Sequence, residues 1–143
     1  MVLPPAVIVH GLADARAALA VGAPVTLLSA PAAALFAGCL WWREVVAAAR
    51  ATSATPGMVD VLDCADASGL ALGALRCGIR HLVLWPDAPG WAAVAGIARR
   101  QGGFVLQRAP DALDLAKGNA MRQLPAWLGA TDNTADDSGA CLS

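Results

Sequence analysis

The sequence predicts a single α/β domain built on a mostly parallel five-stranded sheet. Three observations carry that prediction. Short apolar runs rich in β-branched residues, such as AVIVH and VTLLS, alternate with longer Ala-rich stretches, which is the rhythm of βα units. The runs are continuously apolar rather than alternating, as strands covered on both faces are. A pattern of helix end, Gly, strand and Pro recurs as ALAVGAPVTLLSAP, ALRCGIRHLVLWPDAP and ARRQGGFVLQRAP.

Taken in order, Ala6–His10 reads as the first strand, and Gly11 to Asp14 turns the chain into a helix running to about Val21. Gly22 suits a left-handed helix stop, and Pro24 prevents continuation. Val25–Ser29 is the second strand. Pro31 opens a long helix reaching about Ala51, with Leu35, Leu40, Val45 and Val46 as its core face. Thr52–Gly57 is a linker into the third strand, Met58–Asp63.

A helix over roughly Ala67–Cys77 follows, with Gly69 and Gly73 four apart on one face and placed for close approach to the sheet. His81–Trp85 is the fourth strand. Trp91, Val94, Ile97 and Ala98 mark the buried stripe of the next helix. Phe104–Gln107 is the fifth strand, and Ala112–Lys117 reads as a short helical turn. QLPAWL at 123–128 docks through Trp127 and Leu128. The domain therefore spans 1–128, and the polar, Gly/Ser/Asp-rich segment 129–143 is expected to be a disordered tail.

Crossover helices imply right-handed parallel connections. The expected arrangement is a three-layer unit with flavodoxin-like strand order 2-1-3-4-5. A half-barrel of βα units and a mixed sheet stay open as alternatives, because periodicity does not name a strand's neighbour. A closed eight-stranded barrel does not fit into 143 residues.

Composition narrows the function classes. A net charge of −1 gives no electrostatic footprint for nucleic acid. No charge occurs between Arg16 and Arg43, but Pro24 and Pro31 bracket a β-type segment there, so no membrane span is expected. The four cysteines show no metal or disulfide-scaffold spacing and the start lacks a signal-peptide pattern, so a cytoplasmic protein with reduced thiols, no metal and no cofactor is expected. Only 15% of residues are charged, which points to a face buried by self-association, a dimer in the first instance. The adjacent Trp41 and Trp42 are the candidate interface anchors, since tryptophan is favoured at contact hot spots.

The stretch Val59–Gly73 holds the densest polar cluster at a strand's carboxyl end, where open α/β sheets place ligands. Asp63, Cys64, Asp66 and Ser68, joined by Ser29 and Asp87 from neighbouring loops, are the candidate ligand-binding residues. Asp66 and Ser68 also fit a plainer role as helix N-caps. Cys64 beside a helix N-terminus, with His10 across the sheet and Asp63 as base, is the candidate catalytic set. Asp60 interrupts an otherwise apolar strand and calls for a basic partner or an edge position.

No Gly-rich nucleotide motif is present. Receiver domains end strand one in an acidic pair and strand five in a lysine. Here those positions hold His10-Gly11 and Gln107-Arg108, and only Asp63 resembles that pattern, so the receiver function is not carried over. Two readings result. One is a self-associating module that binds a small ligand or a protein partner. The other is a small enzyme or anion-binding protein using the edge around Asp63, Cys64 and His10.

Overall fold

The computed structural model describes residues 2–53 and 55–129; the expected tail, apart from Gly129, lies outside the described residues. In order the elements are β1 (Ala6–Val9), α1 (Leu12–Ala20), β2 (Thr26–Ser29), α2 (Ala33–Phe36), α3 (Cys39–Thr52), β3 (Val59–Asp63), α4 (Ser68–Arg76), β4 (His81–Val83), α5 (Trp91–Arg100), β5 (Phe104–Leu106), β6 (Ala112–Asp114) and α6 (Ala120–Trp127). The fold class is the expected one, an α/β domain with a parallel sheet.

Strand number and order differ from expectation. Six strands pair in parallel in the order β5-β4-β3-β2-β1-β6. Each crossover from β1 to β5 adds its strand on the same side of the last, so β2 separates β1 from β3 and the expected switch point between them does not exist. This consecutive winding is that of the half-barrel alternative. The segment expected as a helical turn contributes β6, because Ala112, Leu113 and Asp114 pair with the outer edge of β1. Without it, that edge would present unpaired backbone groups.

One-way winding with right-handed crossovers passes every helix over the same face of the sheet. The packing agrees. All six helices contribute to a large core with Val7, Val9, Leu27, Leu62, Cys64, Leu82 and Leu84. The opposite face buries Leu28, Val61 and Val83 with Ile8, Val59, Phe104, Leu106 and Ala112, all strand residues.

That second face is concave, and the connection from β5 to β6 shows why. Following the pairings across the sheet sets Leu106 level with Ala116, so Ala112 lies four residues lower. In a flat sheet, five strand gaps (~24 Å) and this drop (~13 Å) would separate Leu106 from Ala112 by about 27 Å. Six residue steps reach at most about 22 Å. The sheet must therefore curl until its two edges approach, with helices outside and Leu28, Val61 and Val83 meeting within.

Local differences follow from single residues. The long helix expected from Pro31 starts only after left-handed Ala32 (φ 59°) and is broken into α2 and α3 at left-handed Gly38 (φ 87°). The break re-aims Leu35, which is 52% exposed, whereas Leu40, 55% exposed, shares α3 with the buried Val45 and Val46 but lies about 120–140° round the axis from them. In α4 the sheet-facing positions are Ala71, Ala74 and Leu75. Gly69 and Gly73 have open space beside their Cα atoms rather than a close neighbour. Asp60 has its basic partner, Arg50 Nη2 at 2.9 Å. Trp127 donates from Nε1 to the Ala6 carbonyl at 2.7 Å and ties α6 to β1. No helix among the described residues is long and apolar enough to cross a membrane.

Candidate functional site at the carboxyl edge of the sheet

Side-chain alternation sorts the polar residues at the carboxyl edge onto two faces. Val61 packs in the concave core and Leu62 under the helices, so Asp63 belongs to the concave side and Cys64 to the helix side. His10, one residue beyond β1, follows Ile8 onto the concave side, and so does Asp114 of β6, paired in register with Ile8.

The pairing expected between His10 and Cys64 is therefore absent, because strand alternation sends the two side chains to opposite faces. Cys64 is fully buried among helix residues. Burial, then the nearby Asp63 carboxylate and Cys39, push its thiol up to about 12, so it is no thiolate at neutral pH. The helix N-terminus does not offset this burial. Cys64 is a core residue.

His10 instead meets Asp114, with Nε2 and Oδ1 2.6 Å apart. The Ala116 amide donates to the same Oδ1 at 2.9 Å, and the His10 amide donates to Asp14 at 2.9 Å, so both ends of the pair are anchored by backbone. Burial by itself would raise the Asp114 pKa, but the bonds from His10 and Ala116 outweigh it and hold the carboxyl below its usual range. The imidazole is about one-third exposed. Its Nδ1 makes no hydrogen bond among the described residues. A carboxylate on one ring nitrogen and a second nitrogen without a partner among the described residues is the arrangement of an oriented proton acceptor. Asp114 was missed from the sequence because its segment read as helix; the alternation in Ala-Leu-Asp-Leu was the available strand signal.

Asp63 is 5% exposed, two strand spacings from His10 across β2, or about 10 Å. Its own amide donates to Ser29 Oγ at 2.9 Å, which brings those two expected residues together. The Ala65 amide donates to Asp63 Oδ1 at 2.9 Å, and the Ala32 amide also supports the carboxylate. Burial still prevails and raises the Asp63 pKa. Ala32 and Ala65 are the two non-glycine residues with left-handed backbone among those described, at φ 59° and 51°. Such conformations cost alanine on the order of 1 kcal/mol each and persist where surrounding contacts impose them. Here the Ala65 amide donates to the buried Asp63 carboxylate, and the Ala32 amide favours the charged form of the same group.

The remaining expected residues do not join this cluster. Asp66 and Asp87 are exposed and make no hydrogen bond among the described residues. Neither Asp66 nor Ser68 caps α4, whose N-cap is Ala67 without a side-chain bond. The Ser68 hydroxyl donates instead to the Pro89 carbonyl and links the loops after β3 and β4. Trp42, expected as an interface anchor, is fully buried under α3, and Trp41 is half-buried against it with ring centroids 6.0 Å apart. Trp85 is 45% exposed at the end of β4, whereas Trp91 donates from Nε1 to the Leu84 carbonyl at 2.7 Å. Among the described residues no three His, Cys, Asp or Glu side chains converge to hold a metal ion.

No protein-family model matches the sequence, and no curated protein matches it.

Proposed function

We propose that the chain is a small-molecule-binding α/β protein whose site is the carboxyl edge around His10 and Asp114, with His10 exchanging a proton with the bound ligand. The 2.6 Å contact between His10 Nε2 and Asp114 Oδ1 carries this reading, because it fixes the ring while Nδ1 has no partner among the described residues. Asp63 acts from within: it holds the ends of β2 and β3 in shape through its bonds to the Ala65 amide and Ser29 Oγ, with the Ala32 amide beside its carboxylate. That use weakens the case for an anionic ligand beside Asp63, since the amides that would receive it already serve a carboxylate. A thermal-shift screen of small carboxylic acids, amines and sugar phosphates tests the reading. Ligands that raise the melting temperature of the wild type should lose that effect in His10→Gln; equal shifts in both proteins would refute it.

Self-association is the second reading, favoured by Leu35, Phe36, Leu40 and Leu70, which are 44–71% exposed. A cytoplasmic location belongs to the same reading, in which the Cys39 and Cys77 thiols, 3.3 Å apart, stay reduced. Sedimentation of the wild type across a concentration series tests self-association, and a strict monomer would remove it.

A further inference from the structure

We propose that a second copy of this chain docks on the surface formed by α2 and the first turns of α3 and α4, each copy placing Phe36 in the other's cleft between Leu40 and Leu70. This rests on the self-association reading and names its interface. Phe36 is 71% exposed, the most exposed aromatic ring among the described residues. Beside it opens a cleft of about 300 Å³ lined by Ala34, Gly38, Leu40, Leu70 and Gly73 among others. A dry apolar cavity of about 150 Å³ already accepts a benzene-sized ring. Gly73 and Gly38 leave the cleft open, because neither has any atom within 4 Å of where a Cβ would stand.

Three features select a second copy over a different partner. Knob and hole lie on one patch, which is what a twofold, isologous contact requires. The patch carries no charge that would recognise a charged partner, since neither residues 33–42 nor residues 68–75 include a charged side chain. At its rim, the exposed Arg43 and Glu44 follow Leu40 by three and four residues and pair with each other at 3.7 Å within one copy, a weak surface pair that a twofold contact would let each exchange for its opposite in the other copy. The four exposed side chains amount to on the order of 400 Å² per copy, half of a standard interface, so the dimer is reversible with a dissociation constant in roughly the micromolar range.

Sedimentation velocity of the full chain from about 1 μM to about 200 μM tests this. The wild type should pass from monomer to dimer across the series. Phe36→Asp and, separately, Leu40→Asp should raise the dissociation constant by about a hundredfold or more, because each substitution acts twice in a twofold contact. Met121→Ser, at an exposed apolar position on α6, should leave it unchanged. Far-UV circular dichroism confirms that each variant is folded. A wild-type dimer that persists unchanged in both Asp variants overturns this interface and leaves self-association standing. A wild type that stays monomeric throughout overturns both.

Discussion

Replacing Gly103 by alanine should be among the most damaging single-methyl changes in this protein. The added Cβ would stand 1.8 Å from the Arg80 carbonyl oxygen, 2.6 Å from its carbon and 3.0 Å from its Cα. All three are backbone atoms at the entry to β4, so no side chain can swing aside. Relief requires moving the start of β5 away from β4 by more than an ångström. That breaks the Phe104 amide to Arg80 carbonyl bond of 3.2 Å and strains the Gly103 amide to Ala98 carbonyl bond of 2.8 Å that closes α5. Overpacking of this kind costs about 1–3 kcal/mol and a lost backbone hydrogen bond about 1 kcal/mol more, giving a total of about 2–4 kcal/mol. For a domain of this size the melting temperature should fall by roughly 8–16 °C. Thermal and urea unfolding followed by circular dichroism measure this, with Gly11→Ala as control, since nothing lies within 4 Å of its Cβ position. A Gly103→Ala protein melting within about 2 °C of the wild type would refute the packing described here.

Three further outcomes are expected. Burial raises the folded pKa of Asp63, so its contribution is full below the unfolded value of about 3.9 and is lost as pH rises through the folded value. Wild type should therefore lose stability relative to Asp63→Asn between about pH 4 and neutrality, and urea midpoints with the opposite trend would contradict this. Asp114 has the reverse sign: its pKa is depressed, so its stabilisation is present above the unfolded value and disappears as pH falls through the folded one. Asp114→Asn should cost about 1 kcal/mol at neutral pH, discounted for the exposure of His10, and nothing in strong acid; a deficit that persists in acid would argue against the His10 pair. Cys64, its thiol at about 12, should resist iodoacetamide in the folded protein and react only on unfolding, as peptide mapping would show. Labelling of Cys64 at the rate of an ordinary thiol would reverse its assignment to the core.

Much of the fold was legible because it depends on local signals. Apolar runs between Gly and Pro punctuation located five of the six strands, and the breaks at Gly22, Gly78 and Gly102 follow from left-handed conformations that glycine adopts at no steric cost. Asp60 announced a basic partner because a carboxylate in an apolar strand needs one, and Arg50 supplies it. Leu35 misled because a helix unbroken at residue 37 would have set it beside Val46, and Leu40 because five and six residues put it about 120–140° round the axis from Val45 and Val46.

What the sequence by itself determined is the alternation of strands and helices, the parallel sheet, and the carboxyl edge as the place where polar groups gather. Only the tertiary structure decided which strands are neighbours, that Ala112–Asp114 joins β1, and therefore that His10 meets Asp114 rather than Cys64. The physical reason lies in range. Helix, strand and turn preferences are properties of a few consecutive residues, whereas His10 and Asp114 are 104 positions apart and meet only because β6 pairs with β1. The face on which a strand's side chain falls follows from counting by two, but the group across from it follows from winding.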